Sequence, residues 1–288
     1  MKITELFKQQ NRTFSFEFFP PKDEIAAVDF GINVGQLLNL NPSFITVTYG
    51  AGGSNQERSF ALVEFLQHKI GLTTVAHYTC VNVSRDKVAE DLDYLHQIRI
   101  ENLMLLRGDP PKGQEVFIPH PQGFTNSNEL IAFAKQHHTF CIGGGAYPEK
   151  HPEAKSLEDD IYFLKKKVDA GADFLITQLF FINDLYFDFV KKTKAAGIQT
   201  RIIPGIIPIT SFGQIKRFGH LSGGSIIPED LIQKMEACQD QHEKVYQLGM
   251  DYAIEQCRDL LAKGAPGIHF YTLNKSRATV EIFETLLK

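Results

Sequence analysis

The chain has 288 residues, 43% of them hydrophobic and 22% charged, and a formal net charge of −4 at pH 7. That length suits one large domain or two modest ones, and the weakly acidic balance gives no electrostatic basis for binding nucleic acid or an anionic membrane. No apolar run approaches the roughly 20 residues of a membrane span, the first residues carry no signal-peptide apolar region, and Cys80, Cys141, Cys238 and Cys257 show neither C-x-x-C nor zinc spacing. A reduced, cytoplasmic protein is expected.

Short apolar runs alternate with amphipathic stretches along the chain. The runs are Phe14–Phe19, Phe44–Tyr49, Thr74–Cys80, Asn102–Arg107, Thr139–Gly143, Phe174–Phe181, Arg201–Ile209 and Gly267–Leu273. Their length and their β-branched and aromatic content predict strands buried on both faces. Between them lie helical patterns with start and stop signals. Ser54 caps a stretch ending near Gly71. Ser84 precedes a stripe of Val88, Leu92 and Leu95, and Ser156 precedes Ile161, Leu164 and Val168, with Gly171 after them. Asp184 opens a stretch that stops at Gly197. Ser211 and Gln214 read as a capping box, and Pro228 suits a first helical turn. The segment from Pro228 to Gly264 is too long for one connection and is read as an extra helix plus the next helix of the repeat. Roughly eight strand–helix units in a chain of about this length predict a (β/α)₈ TIM barrel in a single domain over residues 1–288, with an extra helix before the last strand. An open doubly wound sheet is the competitor, but no first strand carries a G-x-G-x-x-G turn.

In a barrel, chemistry sits where strands end and βα loops begin. Glu17 lies in an otherwise apolar first strand, where a carboxylate is costly unless paired or neutral; it is either a general acid or a structural ion-pair partner. Thr48 and Tyr49 end the second strand, before the glycine-rich turn around Ala51. His77 lies in the third strand, as a core histidine or a site residue, with no further ligands at metal spacing. Leu106-Arg107-Gly108-Asp109 ends the fourth strand in a cation, a glycine and an anion, suited to a planar cofactor or to a simple ion pair. Tyr147 and His151 follow the fifth strand in a proline-stiffened loop. Asp160 and Lys167 are seven residues apart and share a helix face, which by default is solvated. Gln178 is the polar residue of an apolar strand. Phe218, on the face of Gln214, suits core packing or ligand stacking, and Lys275 after the last strand suits an anionic tail or solvent.

Seven segments in order, SFEFFPP (15–21), VTYGA (47–51), LRGD (106–109), AYPEKHPEAKS (146–156), VDAGADFLITQ (168–178), IPGIIP (203–208) and HFYTLN (269–274), resemble the catalytic domain of the methylenetetrahydrofolate reductase family. The resemblance implies a barrel that holds FAD noncovalently and reduces 5,10-methylenetetrahydrofolate to 5-methyltetrahydrofolate with NADH or NADPH by a ping-pong hydride transfer. It assigns Glu17 as the acid and Asp109 as the carboxylate near flavin and pterin. Thr48, Tyr49, Ala51, His77, Arg107, Gly108, Asp109, Tyr147, His151, Ala154, Asp160, Lys166 and Lys167 match flavin-binding positions, and Gln178, Gln214, Phe218 and Lys275 match substrate positions. Lys275 stands where some relatives have Arg, so a bidentate fork is lost. Phe163 replaces a polar residue found there in some relatives, and the segment from Lys112 to Asn128 is not aligned to the family. A homo-oligomer is implied, without metal, nucleic acid or membrane, and no regulatory domain is expected. A barrel that passes a methyl group from a pterin to a corrinoid would need no flavin, and a folate-binding protein without catalysis would show no flavin reduction by NADH or NADPH.

Overall fold

The computed structural model describes residues 1–49, 56–110, 113, 116–221 and 225–287. The strands are β1 (Thr13–Phe18), β2 (Phe44–Val47), β3 (Thr74–Thr79), β4 (Asn102–Leu106), β5 (Cys141–Ala146), β6 (Phe174–Thr177), β7 (Arg201–Ile203), β8 (Gly205–Ile206) and β9 (Gly267–Tyr271). Every residue of β2, β3 and β6 is buried, as expected of strands covered on both faces. All strand pairs are parallel, in the order β7-β6-β5-β4-β3-β2-β1-β9-β8. β7 and β8 follow one path, interrupted by Pro204, which has no N–H to give to a ladder. Residues 201–203 pair with β6, and residues 205–206 pair with β9. The His269 N–H donates to the Pro204 carbonyl at 2.9 Å, so the break itself is bonded. Because β9 also pairs with β1, the sheet closes. Eight strand positions result, and the (β/α)₈ expectation holds.

The helices are α1 (Ile3–Gln9), α2 (Glu24–Leu38), α3 (Gln56–His68), α4 (Arg85–Gln97), α5 (Ser127–His137), α6 (Leu157–Asp169), α7 (Asn183–Ala195), α8 (Phe212–Leu221), α9 (Glu229–Glu236), α10 (His242–Ala262) and α11 (Arg277–Leu287). Ser84 caps α4 by accepting from the Lys87 N–H, and Ser156 caps α6 by accepting from the Asp159 N–H. Ser54, read as the cap of α3, lies outside the described residues. Pro228 is the N-cap of α9, one position before the expected first turn. α9 is the extra helix before the last strand, and α10 is the barrel helix. The Gln214 side chain accepts from the Ser211 N–H at 3.1 Å, which is one half of the capping box at α8.

α1 has no counterpart in the sequence reading. Its stripe is short, with Ile3 and Leu6 buried, so its average composition looks polar. Ile3 packs at the N-terminal end of the barrel with Val75, Met104 and Phe174. Asn102 at the start of β4 accepts from the Ile3 N–H at 2.9 Å.

Candidate active site

A cavity of about 640 Å³ opens at the C-terminal end of the strands. Met104, Leu106 and Ile176 give it apolar surface, and Glu17, His77, His269 and Tyr271 form a polar wall. Alternation along β1 explains Glu17: Phe16 and Phe18 turn to the layer beneath the helices, in the large core that includes Phe30, so Ser15 and Glu17 point into the barrel. Glu17 is 8% exposed. Its Oε2 lies 3.7 Å from His77 Nε2 and 3.9 Å from His269 Nε2, beyond hydrogen-bonding distance for either. Burial pushes the His77 pKa down to about 4, although Glu17 pulls the other way. His77 is therefore neutral at pH 7 and gives Glu17 no formal counter-charge. The partner of His269 is Ser15, whose Oγ lies 2.8 Å from Nδ1. Tyr271 donates to the Thr177 carbonyl at 2.6 Å, and burial holds its phenol protonated.

Beside this wall, Thr48 Oγ1, Thr79 Oγ1 and His77 Nε2 are buried and without a hydrogen-bond partner among the described residues. All three belong to residues that line the cavity. Buried polar atoms without partners are uncommon and need a reason. A polar, planar ligand answers it. Gly108 and Gly145 both line the cavity, and at Gly145 only Leu106 lies near where a Cβ would stand. Gly108 has φ +87, and an added Cβ would run into Val81 and Thr79. These features fit a flavin ring: flat walls for its faces and unsatisfied donors and acceptors for its edge.

The opposite side is already cross-linked. Arg107 holds Glu153 through two bonds, at 2.5 and 2.7 Å, and lies 5.0 Å from the Phe117 ring centre. Tyr147 lines the cavity, with the His151 ring edge-on at 4.7 Å, and burial raises its pKa to about 12. Asp160 accepts from the His151 N–H at 3.0 Å, and burial raises its pKa. Lys167 crosses from α6 over Gly144 and donates to the Gly145 carbonyl at 2.6 Å. Burial lowers its pKa to about 8, against the pull of Asp160. The shared face of Asp160 and Lys167 thus turns toward the barrel, and the solvated default is corrected. Lys166, one residue earlier, is exposed over the Tyr162 and Phe163 rings. Ala154 sits in a turn whose carbonyl accepts from Lys150 Nζ at 2.6 Å.

The structure gathers Glu17, Thr48, Tyr49, His77, Gly108, Asp109, Tyr147, Gln178 and Phe218 around one cavity. Arg107, His151, Asp160 and Lys167 stand behind that lining. Gln178 lies just past β6, and its Oε1 accepts from the Leu179 N–H at 2.9 Å. Gln214 serves the capping box. Phe218 is fully buried against Phe181, with ring centres 6.4 Å apart. Lys275 is exposed and does not line the cavity, and Ala51 lies outside the described residues. The sequence reading missed His269, Tyr271 and Thr79. Each is a polar residue in a strand run, and only the register shows that it faces inward. Among the described residues, no group of three or more His, Cys, Asp or Glu is placed to hold a metal ion, and no helix is long and apolar enough to cross a membrane.

A closed parallel barrel with a polar cavity at its strand ends defines the (β/α)₈ enzyme architecture. Residues 2–287 match the sequence profile described as Methylenetetrahydrofolate reductase. The chain is 35% identical over 298 aligned residues to methylenetetrahydrofolate reductase (NADH) 1 of Arabidopsis thaliana, covering 99% of this chain and 50% of that protein. It is 34% identical over 272 residues to the 5,10-methylenetetrahydrofolate reductase of Escherichia coli, covering 94% and 90%. The chain therefore belongs to the methylenetetrahydrofolate reductase family, and it spans about half the length of the plant relatives it matches. An uncharacterized Clostridium thermocellum protein, described as binding two copies of 5-methyl-5,6,7,8-tetrahydrofolic acid, shares the fold with a TM-score of 0.66, 14% identity and 99% coverage of both chains.

Proposed function

We propose that this chain is a single-domain oxidoreductase that reduces 5,10-methylenetetrahydrofolate to 5-methyltetrahydrofolate, consuming one NADH or NADPH and one proton. The observation that carries this reading is Glu17, a buried carboxyl group in the wall of a cavity where Thr48 Oγ1, Thr79 Oγ1 and His77 Nε2 lack partners among the described residues. A bound FAD would supply the hydride carrier, loaded by the nicotinamide and emptied onto the folate in a ping-pong cycle. Thr48, His77, Gly108 and Tyr147 would hold it from the cavity side, supported by Arg107, His151, Asp160 and Lys167 from behind.

The protein's own contribution divides into placement and proton transfer. Hydride reaches the methylene carbon only after the five-membered ring opens, and ring opening requires a proton at the leaving nitrogen. Glu17 is the acid placed to give it. The neutral His77 offers Glu17 no cationic partner. Asp109, at the exposed rim, adds a negative charge that favours the cationic iminium. Gln178 and Phe218 contact the pterin and the stacked rings, and an apolar surround excludes water from the opened ring.

Purified protein should carry FAD that heat or acid releases. NADH or NADPH should bleach it anaerobically, and methylenetetrahydrofolate should restore the colour. A preparation that binds no flavin after reconstitution, or binds FMN alone, would sink the reading. We also propose a cytoplasmic homo-oligomer, to be checked by fractionation and by sedimentation.

A further inference from the structure

The ladder between β1 and β9 runs from Thr13↔Gly267 to Glu17↔Tyr271 and stops there. It stops because β9 turns away. Leu273 and Asn274 take φ values of 50° and 59°, in the left-handed region. That region is sparsely populated by bulky residues such as leucine, and such strain persists where surrounding contacts over-determine it. Here the contacts are specific. The Asn274 Oδ1 accepts from the Phe19 N–H at 2.8 Å, and its Nδ2 donates to the Phe19 carbonyl at 2.8 Å. The Asn274 N–H donates to Thr272 Oγ1 at 3.2 Å, and the Thr272 hydroxyl donates to the Glu17 carbonyl at 2.6 Å. Ser276 then bonds Asn33 on α2, through its N–H at 2.9 Å and its hydroxyl at 2.8 Å.

We infer that Asn274 is a positioning residue: its carboxamide continues the β1–β9 ladder where the backbone no longer does, and so fixes Glu17 and the cavity rim. The inference rests on the reading of Glu17 as the proton donor. Asparagine suits the position twice, since it tolerates the left-handed region and carries a donor and an acceptor on one planar group. Aspartate keeps the acceptor and loses the donor; alanine loses both and adds backbone strain. The clamp has two outputs. One is the Glu17 backbone, held through Thr272. The other is the pair Phe19 and Leu273, which both line the cavity and are tied together through the Asn274–Phe19 bonds.

The test uses the holoenzyme and three variants, Asn274→Gly, Asn274→Asp and Glu17→Gln, in single-turnover measurements of each half-reaction with a thermal melt. Glycine accepts the positive φ, so Asn274→Gly removes the clamp without adding strain. It should keep its flavin and be reduced by nicotinamide at close to the wild-type rate. Its folate half-reaction should slow by up to about 10²-fold, the loss expected from a misplacement of about 1 Å, with a raised KM for methylenetetrahydrofolate. Asn274→Asp should fall between, and serves if the glycine variant fails to fold. An unchanged folate step in both variants, beside a slow Glu17→Gln, overturns the clamp. Equal loss of both half-reactions with a lowered melting temperature also overturns it, in favour of a purely structural role. A silent Glu17→Gln beside a slow Asn274→Gly removes the proton-donor reading and the link to Glu17 together.

Discussion

The two sides of the cavity differ in how far they have satisfied themselves. On the β1, β2, β3 and β9 side, Glu17 sits between two imidazoles with no hydrogen bond to either, and Thr48 Oγ1, Thr79 Oγ1 and His77 Nε2 have no partner among the described residues. On the β4, β5 and α6 side, Arg107, Asp160 and Lys167 are each committed to Glu153, the His151 backbone and the Gly145 carbonyl. Unsatisfied buried groups cost stability, and those that line the cavity are the ones a ligand can reach. The contrast locates chemistry on the first side and scaffolding on the second.

The comparison breaks most directly at Glu17. Glu17→Gln keeps size and hydrogen bonding but donates no carboxylic proton. Its folate half-reaction should fall by about 10²–10⁴-fold, the usual worth of general acid catalysis, while flavin reduction by nicotinamide stays near wild type. If both steps fall together and the protein melts early, Glu17 is structural and the two sides are alike.

His77 sharpens the same side through pH. Its folded pKa of about 4 lies below the ordinary histidine value of 6.5, so on acidification the unfolded chain binds the proton first. Stability should therefore fall as pH drops from about 6.5 to about 4, and this contribution is fully retained above 6.5. The loss is at most about 3 kcal/mol. Melting curves of His77→Gln across that window should show a shallower acid slope; an unchanged slope rejects a buried, neutral His77.

Asp109 stands at the rim between the sides. Asp109→Asn should raise the flavin reduction potential by on the order of 20–40 mV, because a nearby negative charge disfavours the anionic reduced form. It should also slow folate reduction. A redox titration with an unchanged or lower potential moves Asp109 away from the ring.

The smallest effect belongs to the scaffolding side. The Glu153 side chain is 59% exposed, so its pairing with Arg107 is screened and worth no more than about 1 kcal/mol. Glu153→Gln should change FAD affinity less than about fivefold, whereas Arg107→Ala should lose far more. Equilibrium dialysis decides it, and a loss above about tenfold for Glu153→Gln would place it among the holding residues.

Much of this was legible in the sequence because barrel strands leave a strong trace. Runs such as Phe44–Val47 and Thr74–Thr79 are buried on both faces and read as unbroken apolar segments. Polar residues inside those runs, Glu17 and His77, stood out for the same reason. The limits were also physical. His269 and Tyr271 alternate with buried neighbours in β9, and only pairing with β1 shows which way they face. Lys167 reads as a surface lysine until the glycines of β5 give its chain a groove to lie in. α1 escaped because two buried residues in seven make too weak a period.

Pro204 also decides how the ring closes. The β8–β9 join contains two residue pairs, against five between β1 and β9. On either side of that thin join, β9 and β8 are stitched to the end of β6, by the Tyr271 hydroxyl donating to the Thr177 carbonyl and by the Gly205 N–H donating to Thr177 Oγ1 at 2.9 Å. A side chain at 205 would strike both the carbonyl and the tyrosine ring, so glycine keeps the stitch in place. The barrel's fastener is thus a tyrosine that also lines the cavity, and whatever occupies the cavity bears on the clasp. Amides of β8 and β9 should exchange with solvent before those of β3, and should slow selectively when the cavity is filled.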